Sequence, residues 1–532
     1  MRKITIAMLV VLSAGVWLRV DGLGAKALWA DEARTWRLLQ YPLGEMIGAL
    51  GGMGTVHPPF YFLVMRLWTG LSGDSEWQLR SVALVGGSAA ILFMFFLIQE
   101  LARLAPSKAG PAGPWQGPAV LAAALVALSP FQIHMAKQAR SYGLGAALLV
   151  ASSWALLRAI REISAGGKGW TYGSIYALLA LAFCFTHHLA LVSVASQWAF
   201  ALIYLVSSRL VASNHRGQGL RPPTGDGVRR VRVAIVASIV ACVAAFGVAY
   251  AIWLPLALRQ TSRGSRLSWR GAPELKSIPN ETYIALFSTF ANRLAIDSLP
   301  TRVALAALLM SLGFLAIKDG WRGRFLAIGG VVPAGLIVAY SYFTSTDLYY
   351  SRYLAFVQLI WLASIATVVS MPRRWPGRAA GTIAVLAGSA YACAASWDPI
   401  GPSAKPGIRA ATEFLLDRHS RGEPIAVRNH EGLFLETLYY TRGRARPSLA
   451  APPDLQRILS TTAHMKAGDF TTLEALATAS PRGLWIISRL KDPIEDDLDP
   501  GQAPRWKRLE RVEFEQDYRW EGTVVVEHYR IE

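Results

Sequence analysis

The chain has 532 residues, of which 53% are hydrophobic and only 17% charged, with a net charge of +19. So little charge at this length excludes an ordinary soluble domain and favours an integral membrane protein. The positive excess does not imply nucleic acid, because Arg and Lys fall mostly in short loops between apolar segments, where membrane topology accounts for them.

The N-terminus opens with Met1-Arg2-Lys3 and an apolar run from Ile4 to Trp17. Ala25-Lys-Ala27 has the form of a signal-peptidase site, but Arg19 and Asp21 lie between it and the apolar core, so a retained first helix is expected. A membrane-crossing helix needs about 20 mostly apolar residues. Candidate spans lie at 4–20, 78–99, 118–134, 142–160, 171–187, 188–207, 232–253, 301–317, 325–343, 352–370 and 379–396, about eleven in all. With a cytoplasmic N-terminus, every cytoplasmic loop is basic: Arg103/Lys108, Arg158/Arg161/Lys168, Arg209 to Arg232, Lys318/Arg322/Arg324 and Arg373/Arg374/Arg378. The opposite face then holds 21–77, 135–141, the break at His187-His188, 254–300, 344–351 and everything after 397. The expected architecture is mainly α, a polytopic helical bundle over 1–400. Cys184, Cys242 and Cys393 all fall in apolar stretches, so neither a disulfide framework nor a zinc site is expected.

After Trp397 the pattern becomes that of a soluble domain. Residues 406–420 read as an amphipathic helix, and Pro424 to Arg428, Leu484 to Ser488 and Thr523 to Tyr529 as strands. A small α/β domain over 401–532 is therefore expected on the outer face.

The first outer loop carries Trp29-Ala-Asp-Glu-Ala33 and then His57-Pro-Pro-Phe-Tyr61. The predicted topology brings Asp31, Glu32, His57, Lys137, Arg140, Tyr142, His187, His188, Arg352 and Tyr353 to that same face. Ionisable groups near spans are costly unless they pair or work, which points to an interfacial site. Asp31 suits a general base, or a carboxylate paired with Arg34 that caps a helix. Glu32 either shares the base's work or orients a neighbour. His57 is either a satisfied interfacial histidine or, fixed by its prolines and protonated, a contact for a phosphate; Arg140 and Arg352 either snorkel to head groups or, with Lys137, bind that phosphate. Tyr142, His187, His188 and Tyr353 are expected to line the substrate pocket. Arg259, Arg263, Arg266 and Arg270 form either a solvated basic loop or a phosphate or pyrophosphate site. His187 and His188 with Asp31 and Glu32 are a conceivable divalent-ion set, but neighbouring helical histidines diverge, so no metal is assigned.

These residues resemble the GT-C glycosyltransferases of the protein O-mannosyltransferase type (glycosyltransferase family 39) and the aminoarabinose transferases of lipid A. The resemblance rests on Asp31-Glu32, His57-Pro58-Pro59 with Phe60-Tyr61, Asp74-Ser-Glu-Trp-Gln-Leu-Arg80, Ala139-Arg-Ser-Tyr142, Thr186-His-His188 and Ser351-Arg-Tyr-Leu354. It covers roughly residues 1–400. It implies a polyprenyl phosphate sugar as donor, used at the outer face of the cytoplasmic membrane, with Asp31 as the base and no organic cofactor. A divalent cation is compatible with the family but not indicated here. Aminoarabinose transferases typically carry lysine at the position of His57, which argues against lipid A, and lipid, glycan and protein acceptors stay open. The rival readings are a flippase or transporter of lipid-linked saccharide, an oligosaccharide polymerase or ligase, and a membrane anchor for a binding domain. Clustering of the polar residues at span ends, with no internal repeat, favours the enzyme over a transporter.

Overall fold

The computed structural model describes residues 2–51, 57–104, 116–164, 169–214, positions 241, 244–245, 247–253 and 255–256, and 274–288. It continues with 298–371, 374–396, 407–490 except 421, 429 and 480–482, then 506–515 and 523–531. Helices stand at ten of the expected spans, and most of 232–253 lies outside the described residues. Five helices among the described residues are long and apolar enough to cross a bilayer: Lys3–Val20, Glu76–Arg103, Tyr142–Ile163, Leu299–Lys318 and Gly320–Thr344. The chain is a membrane protein.

Not every expected span is one straight helix. The expected span 118–134 is a bent pair, Gly117–Leu128 and Pro130–Ala136, meeting at 61°. Helices Gly169–Cys184 and Val357–Val369 are apolar but shorter than a straight crossing requires, whereas Ala190–Asn214 is 25 residues long.

The bend is built from local chemistry. Pro130 has no N–H to donate, and the Ser129 hydroxyl accepts from the Gln132 N–H at 3.2 Å, starting a new helix. The carbonyls left at the end of the first helix need partners within the apolar bundle. Fully buried Arg19 supplies them, donating to Val126 O at 3.0 Å and Ala127 O at 3.1 Å. The second helix ends at Ala136 with Lys137 as its cap, and the Ala139 N–H that follows meets Glu32 in the loop after the first helix.

Helices Glu76–Leu104 and Tyr142–Ser164 cross closely because glycine meets backbone there. A Cβ on Gly143 would stand 2.1 Å from Ala83 O, and one on Gly86 would stand 2.6 Å from the Gly143 carbonyl carbon. This small-residue contact holds the start of the Tyr142 helix against the helix that carries Arg80.

Residues 407–531 form a six-stranded sheet: β1 (Ile425–Arg428), β2 (Ser448–Ala450), β3 (Phe470–Thr471), β4 (Leu484–Arg489), β5 (Trp506–Phe514) and β6 (Val524–Ile531). The order is β3-β2-β1-β4-β6-β5; the first four run parallel, while β6 is antiparallel to both β4 and β5. Helices α1 (Gly407–Arg418) and α2 (Glu431–Thr441) pack against it. Its apolar core takes in Ala27 and Ala33 from the first outer loop, and Tyr439 and Ala463 join the core of that loop in return. Two strands the sequence pattern missed, β2 and β3, are two or three residues long. The third, β5, alternates charged residues along an exposed edge, which guards it against further pairing.

Candidate functional site

The helix Ala30–Leu39 begins at the acidic pair and turns the two carboxylates into different surroundings. Glu32 is wholly buried. Arg80 grips it with both prongs, Nε to Oε1 at 2.8 Å and Nη2 to Oε2 at 2.6 Å, and the Ala139 N–H donates to Oε1 at 2.7 Å. The same guanidinium donates to Leu23 O, Lys26 O and Ala27 O at 2.8–3.0 Å. Of the two roles expected for Glu32, the geometry selects the orienting one. It ties together the outer loop, the Arg80 helix and the segment before Arg140, and has no freedom to take a proton from a substrate.

Asp31 is different. Its side chain keeps 17% of its exposure and is ringed by guanidinium groups: Arg34 Nη1 at 2.9 Å from Oδ1, Arg352 Nη1 at 3.4 Å and Arg140 Nη2 at 3.8 Å from Oδ2. Burial alone would push its pKa up, but Arg140, Arg352 and Arg34 outweigh this and hold the carboxyl well below the usual carboxylate range. Asp31 is therefore ionised. Arg34 lies one turn along the same helix, while two residues from distant points in the chain reach Asp31 because the Pro130 bend delivers Arg140 and the one-turn helix Ser351–Leu354 delivers Arg352. That turn is anchored by buried Glu281, whose Oε2 accepts the Ser351 N–H at 2.8 Å. Tyr350 and Tyr353 flank the Arg352 guanidinium, each ring centre at 5.3 Å.

His57 adjoins this group. A guanidinium can only donate, so the contact of Arg140 Nη2 with His57 Nε2 at 2.7 Å makes that nitrogen an acceptor. Burial, with Arg140 and His187 nearby, lowers the His57 pKa well below 6.5. The expectation of a protonated His57 is thus corrected: the ring is neutral and carries its hydrogen on Nδ1, a buried atom without a hydrogen-bond partner. His187 lies edge-on to it at 5.0 Å between ring centres. Its Nδ1 accepts from the Leu189 N–H at 3.1 Å, which leaves the hydrogen on Nε2, also buried and without a partner. Burial, then His188, Arg140 and Arg352, pull its pKa down to about 3. Two neutral imidazoles therefore each hold an unmet N–H beside the arginines.

Tyr142, with its ring 5.6 Å from His187, and Tyr353, at 6.4 Å, complete the group. His188 is engaged elsewhere, with Nδ1 at 3.2 Å from the Tyr250 hydroxyl. Lys137 departs from expectation. The charges acting on it are Asp21, Lys26 and Arg19, and burial first, then these, bring its pKa to about 8. It stands by the end of the first helix rather than with Asp31. Arg259, Arg263, Arg266 and Arg270 lie outside the described residues. Among the described residues no group of three or more His, Cys, Asp or Glu side chains is disposed to hold a metal ion, and the His187–His188–Asp31–Glu32 set is dispersed among other partners.

Sequence reasoning missed Arg80 as the partner of Glu32 and the contribution of the C-terminal domain. Glu431 at the start of α2 lies 3.5 Å from Arg34 Nη2, and Asp469 pairs with Arg37 at 2.7 Å. Arg80 belongs to a motif already singled out in the sequence; nothing in the sequence marks Glu431.

No protein-family model matches the chain, and no curated protein matches it by sequence. Among solved structures, ArnT from Cupriavidus metallidurans bound to undecaprenyl phosphate superposes with a TM-score of 0.54 at 12% identity, over 98% of this chain and 97% of that one. ArnT in the apo state gives 0.53 over the same shares. The Archaeoglobus fulgidus oligosaccharyltransferase, in complex with Zn and sulfate, gives 0.48 at 13% identity over 91% of this chain and 68% of that one. On the ArnT superposition the chain has the fold of that protein, a helical bundle followed by a small sheet domain. It shares the ArnT architecture along nearly its whole length.

Proposed function

We propose that the protein is an inverting membrane glycosyltransferase that moves a sugar from a polyprenyl phosphate donor to an acceptor hydroxyl. The observation that carries this reading is one ionised carboxylate, Asp31, between two arginines, Arg140 and Arg352, with the unmet N–H groups of His57 and His187 alongside. A phosphate needs such donors and a hydroxyl needs such a base. The shared fold with a protein that binds undecaprenyl phosphate is consistent with this chemistry.

In the proposed step the acceptor oxygen attacks the anomeric carbon from the face opposite the phosphate. The carbon–oxygen bond to phosphate breaks, its electron pair leaves on the phosphate, and Asp31 takes the hydroxyl proton. Arg140, Arg352 and the two imidazole N–H groups stabilise the departing charge, so no general acid is required. A carboxylate held this far down is a weak base until the donor arrives. The donor phosphate then draws on Arg140 and Arg352, their hold on Asp31 loosens, and its basicity rises. Base strength is thereby coupled to donor occupancy. The basic loops lie on the cytoplasmic side by the positive-inside rule, which assigns the site to the outer face of the cytoplasmic membrane. The step as written calls for no organic cofactor.

The test compares wild type with Asp31→Asn in membranes supplied with radiolabelled polyprenyl phosphate sugars. Consumption by wild type alone, at equal expression, supports the reading, and the labelled product identifies the acceptor. If neither consumes donor while labelled lipid crosses the bilayer, the protein is a flippase and the proposal is wrong.

A further inference from the structure

Arg34 is held at both ends of its fork, by Asp31 Oδ1 at 2.9 Å and by Glu431 Oε2 at 3.5 Å. The buried ring of His464 stands behind Glu431, its Nδ1 3.3 Å from Oε1. Glu431 occupies the first turn of α2, where the helix favours a negative charge. The spacing is rigid, because a Cβ on Gly432 would stand 2.7 Å from the Ala30 side chain, so the two helices touch one residue away from both carboxylates. Nearby contacts repeat the connection: Arg37 donates to His464 O at 3.2 Å, and the Leu28 N–H donates to the Tyr440 hydroxyl at 2.8 Å.

From this arrangement we infer that Glu431 is a positioning residue for Asp31, acting through Arg34. The inference rests on Asp31 being the base. A planar guanidinium pinned by two carboxylates cannot swing, so it fixes the Asp31 rotamer. It also divides its charge. Without Glu431, Arg34 would act on Asp31 undiluted, on top of Arg140 and Arg352, and the carboxylate would become a still weaker base. With Glu431 present, Arg140 and Arg352 supply the two charges that a phosphate can compete for, and Arg34 stays behind as a holder.

The experiment uses the full chain in detergent with Glu431→Gln, Glu431→Asp and Tyr440→Phe, the last loosening the domain contact without altering the charge on Arg34. Two quantities are read: kcat and KM for polyprenyl phosphate sugar, and the rate at which a hydrophobic carbodiimide modifies Asp31 at mildly acid pH, followed by mass spectrometry. Carbodiimides attack the protonated carboxyl, so the second reading needs no turnover. Glu431→Gln is expected to lower kcat about tenfold with KM little changed, and to slow Asp31 modification about tenfold, the effect of one pKa unit on the protonated fraction. Glu431→Asp restores most of both, and Tyr440→Phe matches wild type. Wild-type values for Glu431→Gln, or an equal loss in Tyr440→Phe, overturn the inference. If wild type consumes no polyprenyl phosphate sugar, the proposed function fails instead. The modification rates then decide alone: slower in Glu431→Gln upholds Glu431, and equal rates overturn it.

Discussion

Asp31 and Glu32 are neighbours in the chain, and their surroundings divide the molecule into a region that works and a region that holds. Around Glu32 every charge is spent: Arg80 meets both oxygens and three backbone carbonyls, and nothing is left for a ligand. Around Asp31 only Arg34 is close, at 2.9 Å; Arg352 and Arg140 stand further off, at 3.4 and 3.8 Å, and two imidazole N–H groups have no partner among the described residues. Saturated hydrogen bonding makes a rigid strut, whereas incomplete satisfaction leaves free energy for a substrate to recover. The strut keeps the incomplete site from collapsing onto itself.

That contrast yields predictions of decreasing size. Asp31→Asn should abolish turnover, by about a thousandfold or more, with a smaller loss of stability than that caused by Glu32→Ala. Glu32→Ala should do the reverse to the molecule, costing about 3–5 kcal/mol because it strands the buried Arg80 charge. Urea unfolding of the purified chain measures that cost. A Glu32→Leu, Arg80→Met double variant that recovered most of the stability would identify the strut as replaceable structure. If Glu32→Ala were stable but inactive, the division drawn between the two carboxylates would be wrong.

Arg352→Gln should raise the donor KM and lower kcat, each about tenfold, with a shift in pH dependence whose sign follows from charge. Arg352 helps to hold the Asp31 pKa down. Its removal raises that pKa, so the acid limb of kcat/KM moves to higher pH, and an unmoved limb would separate Arg352 from Asp31.

The histidines give a smaller effect, on stability. His187 has a folded pKa of about 3, below its ordinary 6.5, because burial and nearby positive groups disfavour the charged ring. Between those values the unfolded chain binds more protons than the folded one. Stability therefore falls as the pH drops below about 6.5, by at most about 1.4 kcal/mol per unit for this residue. Thermal melts between neutral and mildly acid pH should show the decline, and His187→Asn should flatten it. Smallest of all, a chelator such as EDTA should leave turnover unchanged.

Much of this was legible in the sequence because it depends on residue type and local pattern. Apolar run lengths locate the helices, and Pro and Gly mark their ends. The acidic pair, His57-Pro58-Pro59, Arg140, His187 and Arg352 stand out as polar groups beside apolar spans. Partner choice was not legible. Lys137 and Arg140 are three residues apart and look equivalent on paper, yet the turn after the Pro130 helix sends one to Asp21 and the other to Asp31. Glu431 is about 400 positions from Arg34, in a helix start like many others, and only the close contact at Gly432 brings the two together.

By itself, then, the sequence determined a membrane helical bundle with an α/β domain after it and an acidic loop near charged span ends of one face, since hydropathy and loop charge act locally along the chain. The tertiary structure decided which carboxylate is spent and which is available, that both histidines are neutral, and that the C-terminal domain shares in the site. Protonation and pairing depend on distances of a few ångströms between groups far apart in sequence, and only the packed chain sets those distances.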